Sequence, residues 1–373
     1  MNIADCRKAL VHHWFLNMTG GEKVCEALCE ILDAPDMFTI LADPAVLSPE
    51  LQKSSLTTSF VQKIPGALKY HRYYAWMFPV AVELLDLNAY DLVISSDSNT
   101  VKGVITRPET CHICYCHSPM RYAWSMYHEY LKNSGPIRTA LTSLVMHYLR
   151  LWDYSAAGRV DFFACNSTAV RHRIRAYYRR DAKVIHPPCD IERFQVSCRS
   201  QDYYLCAGRL VEYKNVALAV GAFSENGMRL VVAGEGPQKE YLKSIAKNNI
   251  EIVGWVSDEE LSGLYAGCKA LIFPGEEDFG IVPVEAQACG KPVIAYGRGG
   301  ARDTVIPGKT GLFFTERSPE ALKATIAEFE STCDRFDPSA IRDHAERFGR
   351  RRFQKEFLEF IQECLDEHDN RFV

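Results

Sequence analysis

The 26 residues from Leu271 to Tyr296, LIFPGEEDFGIVPVEAQACGKPVIAY, hold a strand, a loop, a helix and a second strand. Ala270 to Phe273 and Pro292 to Ala295 are short apolar runs of the kind buried on both faces of a parallel sheet. Between them Pro283 suits the first turn of a helix, where its missing N–H is not needed. Gly290 suits the left-handed residue that ends it. Such a unit builds doubly wound α/β sheets. Glu277 falls in the loop leaving the first strand, and Glu285 falls in the first turn or so of the helix. Both carboxylates therefore face one crevice at the carboxyl end of a parallel strand, where open α/β sheets bind ligands. The Phe279-Gly280-Ile281 backbone entering the helix offers N–H groups to an anion.

Around that stretch the second half of the chain alternates strand and helix, with strands expected at Tyr203 to Ala207, Arg229 to Ala233 and Glu251 to Val253. Ser257 with Glu260 forms a capping box, and Ser318-Pro319 opens a later helix. Gly208-Arg209-Leu210 follows the first strand of this half, and Lys214-Asn215 comes just before a helix. Two cations at such a crossing suit phosphate, arginine as a bidentate fork and lysine as a point charge. Standing alone they read more readily as solvated surface charges. Gly234-x-Gly236 lacks a third spaced glycine and reads as a turn rather than a dinucleotide fingerprint. The chain has no Asp-x-Asp, so the short motif that commonly presents a metal to a nucleotide diphosphate is missing.

The first half carries the same alternation. Ala9 to Val11 is a short strand, His12 to Thr19 a loop that breaks at Gly20-Gly21, and Glu22 to Leu32 a helix with Val24, Leu28, Ile31 and Leu32 on its buried face. The two glycines either let a ligand approach the backbone or make only a tight turn. Leu92 to Ser95 and Thr110 to Cys116 are further strands, the second placing His117 at a carboxyl end. Cys111, Cys114 and Cys116 match no paired zinc knuckle and read as buried thiols, with no metal site expected. Helix fills most of Arg121 to Ala157. Asp161 to Asn166 is a strand, Thr168 to Tyr178 a helix, and Val184-Ile185 closes this half. The segment His186 to Ser200, with Pro187-Pro188 and no periodicity, reads as a linker. Residues 1–195 and 196–348 are thus the expected domains. Residues 349–373 form a helix whose stripe of Phe353, Phe357, Phe360, Ile361, Cys364 and Leu365 packs back on the first.

At 373 residues the chain exceeds what one core usually organises. A formal charge of -4 gives no electrostatic reason to expect nucleic acid as a partner. The start, MNIADCRKALVHHWF, lacks the apolar core of a signal peptide, and the scattered cysteines fit reduced thiols, so a cytoplasmic location is expected. No stretch is long and apolar enough to span a bilayer. Residues 61 to 80, VQKIPGALKYHRYYAWMFPV, mix Lys63, Lys69 and Arg72 with tyrosines and Trp76. That mixture suits peripheral contact with an anionic membrane surface, or simply an amphipathic helix and its loop.

Taken together these motifs resemble family 4 of the retaining glycosyltransferases, and the resemblance covers nearly the whole chain. The family's glutamate pair stands as Glu277 and Glu285 within EEDFGIVPVEAQACGKPVIA, and GRLVEYKN looks like its diphosphate-binding segment. TGGEKV, CHSPMRYAW and YGRGGARDTV look like the branch of O-antigen and exopolysaccharide mannosyltransferases. The resemblance implies the GT-B fold, two doubly wound Rossmann-like domains facing a central cleft, and a hexosyl transfer that needs no metal and no cofactor. It implies a nucleotide diphosphate sugar, GDP-mannose in this branch, as donor, and a saccharide or lipid-linked saccharide as acceptor at the cytoplasmic face of the inner membrane. Glu285 would hold the donor ribose, Glu277 the transferred sugar, and Arg209 and Lys214 the diphosphate, helped by the Phe279-Gly280-Ile281 backbone. Gly20 and Gly21 would admit the phosphates, His117 would stand beside the reacting sugar, and the loop Gly254 to Val256 would read the base. Asp278 departs from the glycine many relatives carry there. A non-catalytic nucleotide-sugar-binding subunit and a nucleotide-sugar epimerase on the same fold are the alternatives.

Overall fold

Alternate residues of the strand Lys8–Phe15 (β1) serve two different cores: Leu10 packs with Ile94, Ile113 and Tyr115 on one face, while Ala9 and Val11 pack with Phe78 and Val82 on the other. A strand buried on both faces belongs in the middle of a parallel sheet. In the computed structural model, which describes residues 2–132 and 135–371, it does. With β2 (Asp36–Ala42), β3 (Leu56–Thr58), β4 (Leu92–Asp97), β5 (Cys111–Cys116), β6 (Phe162–Cys165) and β7 (Lys183–Val184) it forms a seven-stranded sheet, order β3-β2-β1-β4-β5-β6-β7. Every neighbouring pair is parallel. The helix Gly20–Leu32 and the final helix Arg350–Asp369 cover one face, with Phe353, Phe357 and Ile361 in the same core as Val24 and Leu28.

β8 (Tyr204–Ala207), β9 (Leu230–Ala233), β10 (Ile250–Gly254), β11 (Leu271–Phe273), β12 (Val293–Tyr296) and β13 (Gly311–Phe314) form a second sheet, order β10-β9-β8-β11-β12-β13. It too is parallel throughout. The chain thus has two doubly wound sheets, each reversing strand order at its centre, β1 beside β4 and β8 beside β11. Residues up to Pro188 with those from Phe353 onward make one compact unit, and Cys189–Arg352 make the other.

Several sequence expectations shift. The division falls at Pro188 rather than 195, because the Cys189 N–H bonds Phe348 O at 2.9 Å and Ile191 and Phe194 enter the core built on Tyr265 and Val284. The return to the first unit begins at Phe353 rather than 349. His12 to Phe15 is strand, not loop, because Trp14 and Phe15 continue the register against Leu41 and Ala42 of β2. Residues 61 to 80 form short turns of helix, from Phe60–Lys63 through Ala67–Tyr70 and His71–Met77 into Phe78–Glu83, rather than one amphipathic helix. Helix in the 121–157 segment occupies Tyr127–Leu131 and Pro136–Ala157. The helical expectation at residues 133–134 and 372–373 lies outside the described residues. Among the described residues no helix is long and apolar enough to cross a membrane.

Candidate active site

In the second unit the glutamate loop leaves β11 and the cation segment leaves β8, so the switch point of this sheet brings their ends together. Lys214 Nζ reaches Glu277 Oε1 at 2.9 Å. Burial alone would depress the Lys214 pKa, but the Glu277 carboxylate more than reverses this and the group is held above its ordinary value. Arg209 is exposed and its guanidinium makes no ion pair among the described residues. One cation is thus balanced by a carboxylate and the neighbouring one is available to an anion.

Glu285 lies within the helix Ile281–Ala288, as expected from the sequence. Its Oε1 accepts from Arg193 Nη2 at 3.1 Å and its Oε2 from the Tyr265 hydroxyl at 2.8 Å. Burial raises the Glu285 pKa, with Tyr265 and Arg193 working against the rise. Arg193 also donates to Asp258 at 2.6 Å. Sequence reasoning missed both Arg193 and Tyr265. The arginine lies in the segment taken as linker, 92 residues from its partner, and neither belongs to a motif. A carboxylate offers about four acceptor positions, so Glu285 fixed by two donors still has room for ribose hydroxyls.

Gly280, with φ of 87°, turns the chain into this helix, whose first-turn amides lack intrahelical acceptors. The Phe279 side chain is core, its ring tilted against that of Phe348, so only its backbone can serve a ligand. The loop is clamped by the YGRGGARDTV segment. The Gly300 N–H donates to Glu277 O at 2.9 Å, and a Cβ at residue 300 would meet Phe279 O at 2.3 Å. Asp278 is half-buried in that clamped loop. Val256 is half-buried on the same core, between β10 and the helix that Ser257 and Glu260 cap.

The first unit holds a second cluster at its own switch point. His117 Nε2 lies 2.8 Å from Ser96 Oγ, and His12 Nδ1 lies 3.0 Å from Ser96 O and 3.2 Å from Ser96 Oγ. A carbonyl only accepts, so His12 Nδ1 donates to it, and the Ser96 hydroxyl joins the two rings. On its other side His12 Nε2 faces Glu22 Oε1 at 3.8 Å. Gly21 lies over this row: a Cβ there would be 3.5 Å from His12 Cε1 and 3.9 Å from His117 Nε2. Gly20 and Gly21 open the helix, and Glu22 Oε2 accepts from the Thr19 N–H at 3.0 Å and the Thr19 hydroxyl at 2.7 Å, a capping box.

Burial opposes charge on His12, yet Cys25 and the Glu22 carboxylate outweigh it and push its pKa up to about 10. Burial and the adjacent His12 and His117 drive His13 well below its ordinary value. His12, His13 and Glu22 also place one ligand atom each within 4.8 Å of one another. Cys111, Cys114 and Cys116 are buried free thiols.

Two parallel, doubly wound sheets of six and seven strands make the GT-B fold. Two glycosyltransferase family models match adjoining parts of the chain: the Glycosyltransferase Family 4 model matches residues 18–193 and the Glycosyl transferases group 1 model matches residues 190–347. An uncharacterised glycosyltransferase of Methanocaldococcus jannaschii is 30% identical over 175 residues, 45% of this chain and 49% of that protein. A GDP-mannose-dependent alpha-mannosyltransferase of Mycobacterium tuberculosis is 35% identical over 127 residues, 32% of this chain and 33% of that one. The matches thus span half or less of the curated relatives' length. The Anabaena HepE structure, in complex with UDP and glucose, has the same fold, with a TM-score of 0.68 at 16% identity over 95% of this chain and 99% of that chain.

Proposed function

We propose that the chain is a retaining, metal-independent hexosyltransferase that moves mannose from GDP-mannose to a lipid-linked or polysaccharide-precursor saccharide at the cytoplasmic face of a membrane. The observation that carries the reading is the pairing of Lys214 with Glu277 beside the exposed Arg209 at a sheet switch point. As the sugar–phosphate bond breaks, its electron pair leaves with the diphosphate while the sugar becomes oxocarbenium-like. Fixed cations at the phosphates stabilise that state more than the ground state. Glu277 then serves the hydroxyls of the transferring sugar, and Glu285, steadied by Arg193 and Tyr265, serves the ribose. His117 is assigned to the reacting sugar, Gly20 and Gly21 to the phosphates, and the backbone near Val256 to the base. Retention follows from same-face attack by the acceptor oxygen, whose proton passes to the departing phosphate. The matched mannosyltransferases support mannose and guanosine.

The test is thermal unfolding against a panel of nucleotide diphosphate sugars, since a ligand at 100 times its dissociation constant adds about 2.7 kcal/mol. GDP-mannose should stabilise the chain most. A larger shift from a uridine or adenosine donor would overturn the mannose assignment, and no shift from any would overturn donor binding. Donor loss without acceptor would instead indicate an epimerase or hydrolase.

A further inference from the structure

The helix Pro136–Ala157 carries Ile137, Leu141, Leu144, Tyr148 and Leu151 at intervals of four and three residues, the spacing of one helix face, and all five are exposed. Ile137 is 78% and Leu144 67% exposed, whereas Met146, Leu149 and Asp153 on the opposite side are buried. An amphipathic helix of a globular unit turns its apolar face inward. Here a second apolar face points outward.

The same surface continues into residues 61 to 80, with their aromatic and basic content. Trp76 and Val80 line one hollow with Leu144, Val145 and Tyr148, and Tyr73 nearby is 78% exposed. Contiguous exposed apolar area on this scale marks an interaction site. Its charge says which kind. The chain has 47 Asp and Glu, yet none falls in residues 61–82, 130–132 or 135–152, the segments that build this surface. Those segments carry Lys63, Lys69, Arg72, Lys132, Arg138 and Arg150, the first five of them exposed.

We propose that this surface docks on an anionic lipid bilayer, the Pro136–Ala157 helix lying in the interface with its Ile/Leu stripe inserted and the flanking cations on the headgroups. A second copy of the chain fits less well. A symmetric dimer presents the same patch on both sides and would bring the two sets of cations face to face. A bilayer of anionic lipid supplies the apolar depth and the opposite charge together, with tyrosine and tryptophan at the boundary. The inference deepens the proposed lipid-linked acceptor and rests on that reading only for its purpose. Vesicle binding needs no donor, so the two can fail separately.

The full chain is sedimented with phosphatidylcholine vesicles with and without phosphatidylglycerol, and its mass is followed by velocity sedimentation. Wild-type protein should pellet with the anionic vesicles and bind less as salt rises. Replacing Lys69, Arg72 and Arg138 together by Ser should weaken partitioning roughly 100-fold, about fivefold per cation. Leu141→Glu/Leu144→Glu should abolish it, and because both side chains are exposed the variant should keep wild-type unfolding and nucleoside diphosphate binding. Wild-type protein left in the supernatant with anionic vesicles would overturn the proposal. So would equal pelleting of the double glutamate variant, or a dimer that this variant dissociates.

Discussion

At the scale of single residues the account turns on Glu277 and Glu285, which the sequence presents as a pair and the structure separates. Glu277 faces a lysine and Glu285 an arginine and a tyrosine. If Glu285 accepts from the ribose, Glu285→Ala should weaken nucleoside diphosphate and whole donor alike, by about 1.5 to 3 kcal/mol. Tyr265→Phe removes one of its two fixing donors and should cost about 0.5 to 1.5 kcal/mol in the same titration. Glu277→Gln should leave diphosphate affinity nearly unchanged while turnover falls. An equal loss of diphosphate affinity in Glu277→Gln would refute the division of roles. His117 makes a separate prediction: its Nε2 lies 2.8 Å from the Ser96 hydroxyl, so Ser96→Ala should change the imidazole 15N shifts of His117. Unchanged shifts would remove Ser96 as a positioning group. His12 and His13 predict how stability varies with pH. His12 has a folded pKa near 10, so its contribution is complete below about 6.5 and is lost as pH rises through 10. His13 is depressed, so its unfolded form takes up a proton below about 6.5 that the folded form refuses, and stability falls as pH drops. Urea unfolding should show His12→Gln flattening the alkaline side and His13→Gln the acid side.

At the scale of elements, legibility followed apolar pattern and broke down where a strand carries polar side chains. β11, the Ile281–Ala288 helix and β12 were readable because apolar runs alternate with Pro283 and a left-handed Gly290, and the structure gives Gly290 a φ of 75°. β1 was cut short at Val11 because His12-His13-Trp14 looks like a loop, yet at a switch point the strand end must carry polar groups to be useful. The Thr19–Glu22 capping box was hidden for the same reason, whereas the Ser257–Glu260 box, ahead of an ordinary amphipathic helix, was plain. β2, β3 and β13 escaped notice. β3 and β13 are only three and four residues long, with half-buried positions that give little pattern. The outward face of the Pro136–Ala157 helix was invisible too, since periodicity cannot say which of two apolar faces is buried. Two substitutions test the elements. Phe357→Ala, in the core shared by the final helix and the first sheet, should cost about 3 to 5 kcal/mol in denaturant unfolding. Gly234 has a φ of 142° and a Cβ there would stand 1.9 Å from Gly208 O, so Gly234→Ala should destabilise the second unit and displace the Arg209 turn. Wild-type stability in either variant would contradict the packing described.

At the scale of the whole molecule, two sheets with the same order over six strands, the first with β7 added at its edge, each put their charged groups at the carboxyl ends of central strands, which is where such sheets bind ligands. Glutamate spacing and the GRLVEYKN segment made the second unit's half of this legible. The Arg193–Glu285–Tyr265 and His12–Ser96–His117 contacts were not, because each joins residues far apart in sequence. Charge compensation by Arg209 and Lys214 predicts transfer undiminished in excess chelator, and a strict requirement for magnesium or manganese would end that part of the account. The central claim is that the second unit binds a nucleoside diphosphate through these two cations. It is tested most directly by calorimetric titration of GDP into wild-type protein, Arg209→Ala and Lys214→Ala, each in chelator. Each variant should bind about 10-fold to 100-fold more weakly than wild type, the loss of a charge-assisted contact of about 1.5 to 3 kcal/mol. Wild-type affinity in both variants would return Arg209 and Lys214 to ordinary surface charge and contradict the assignment of this site.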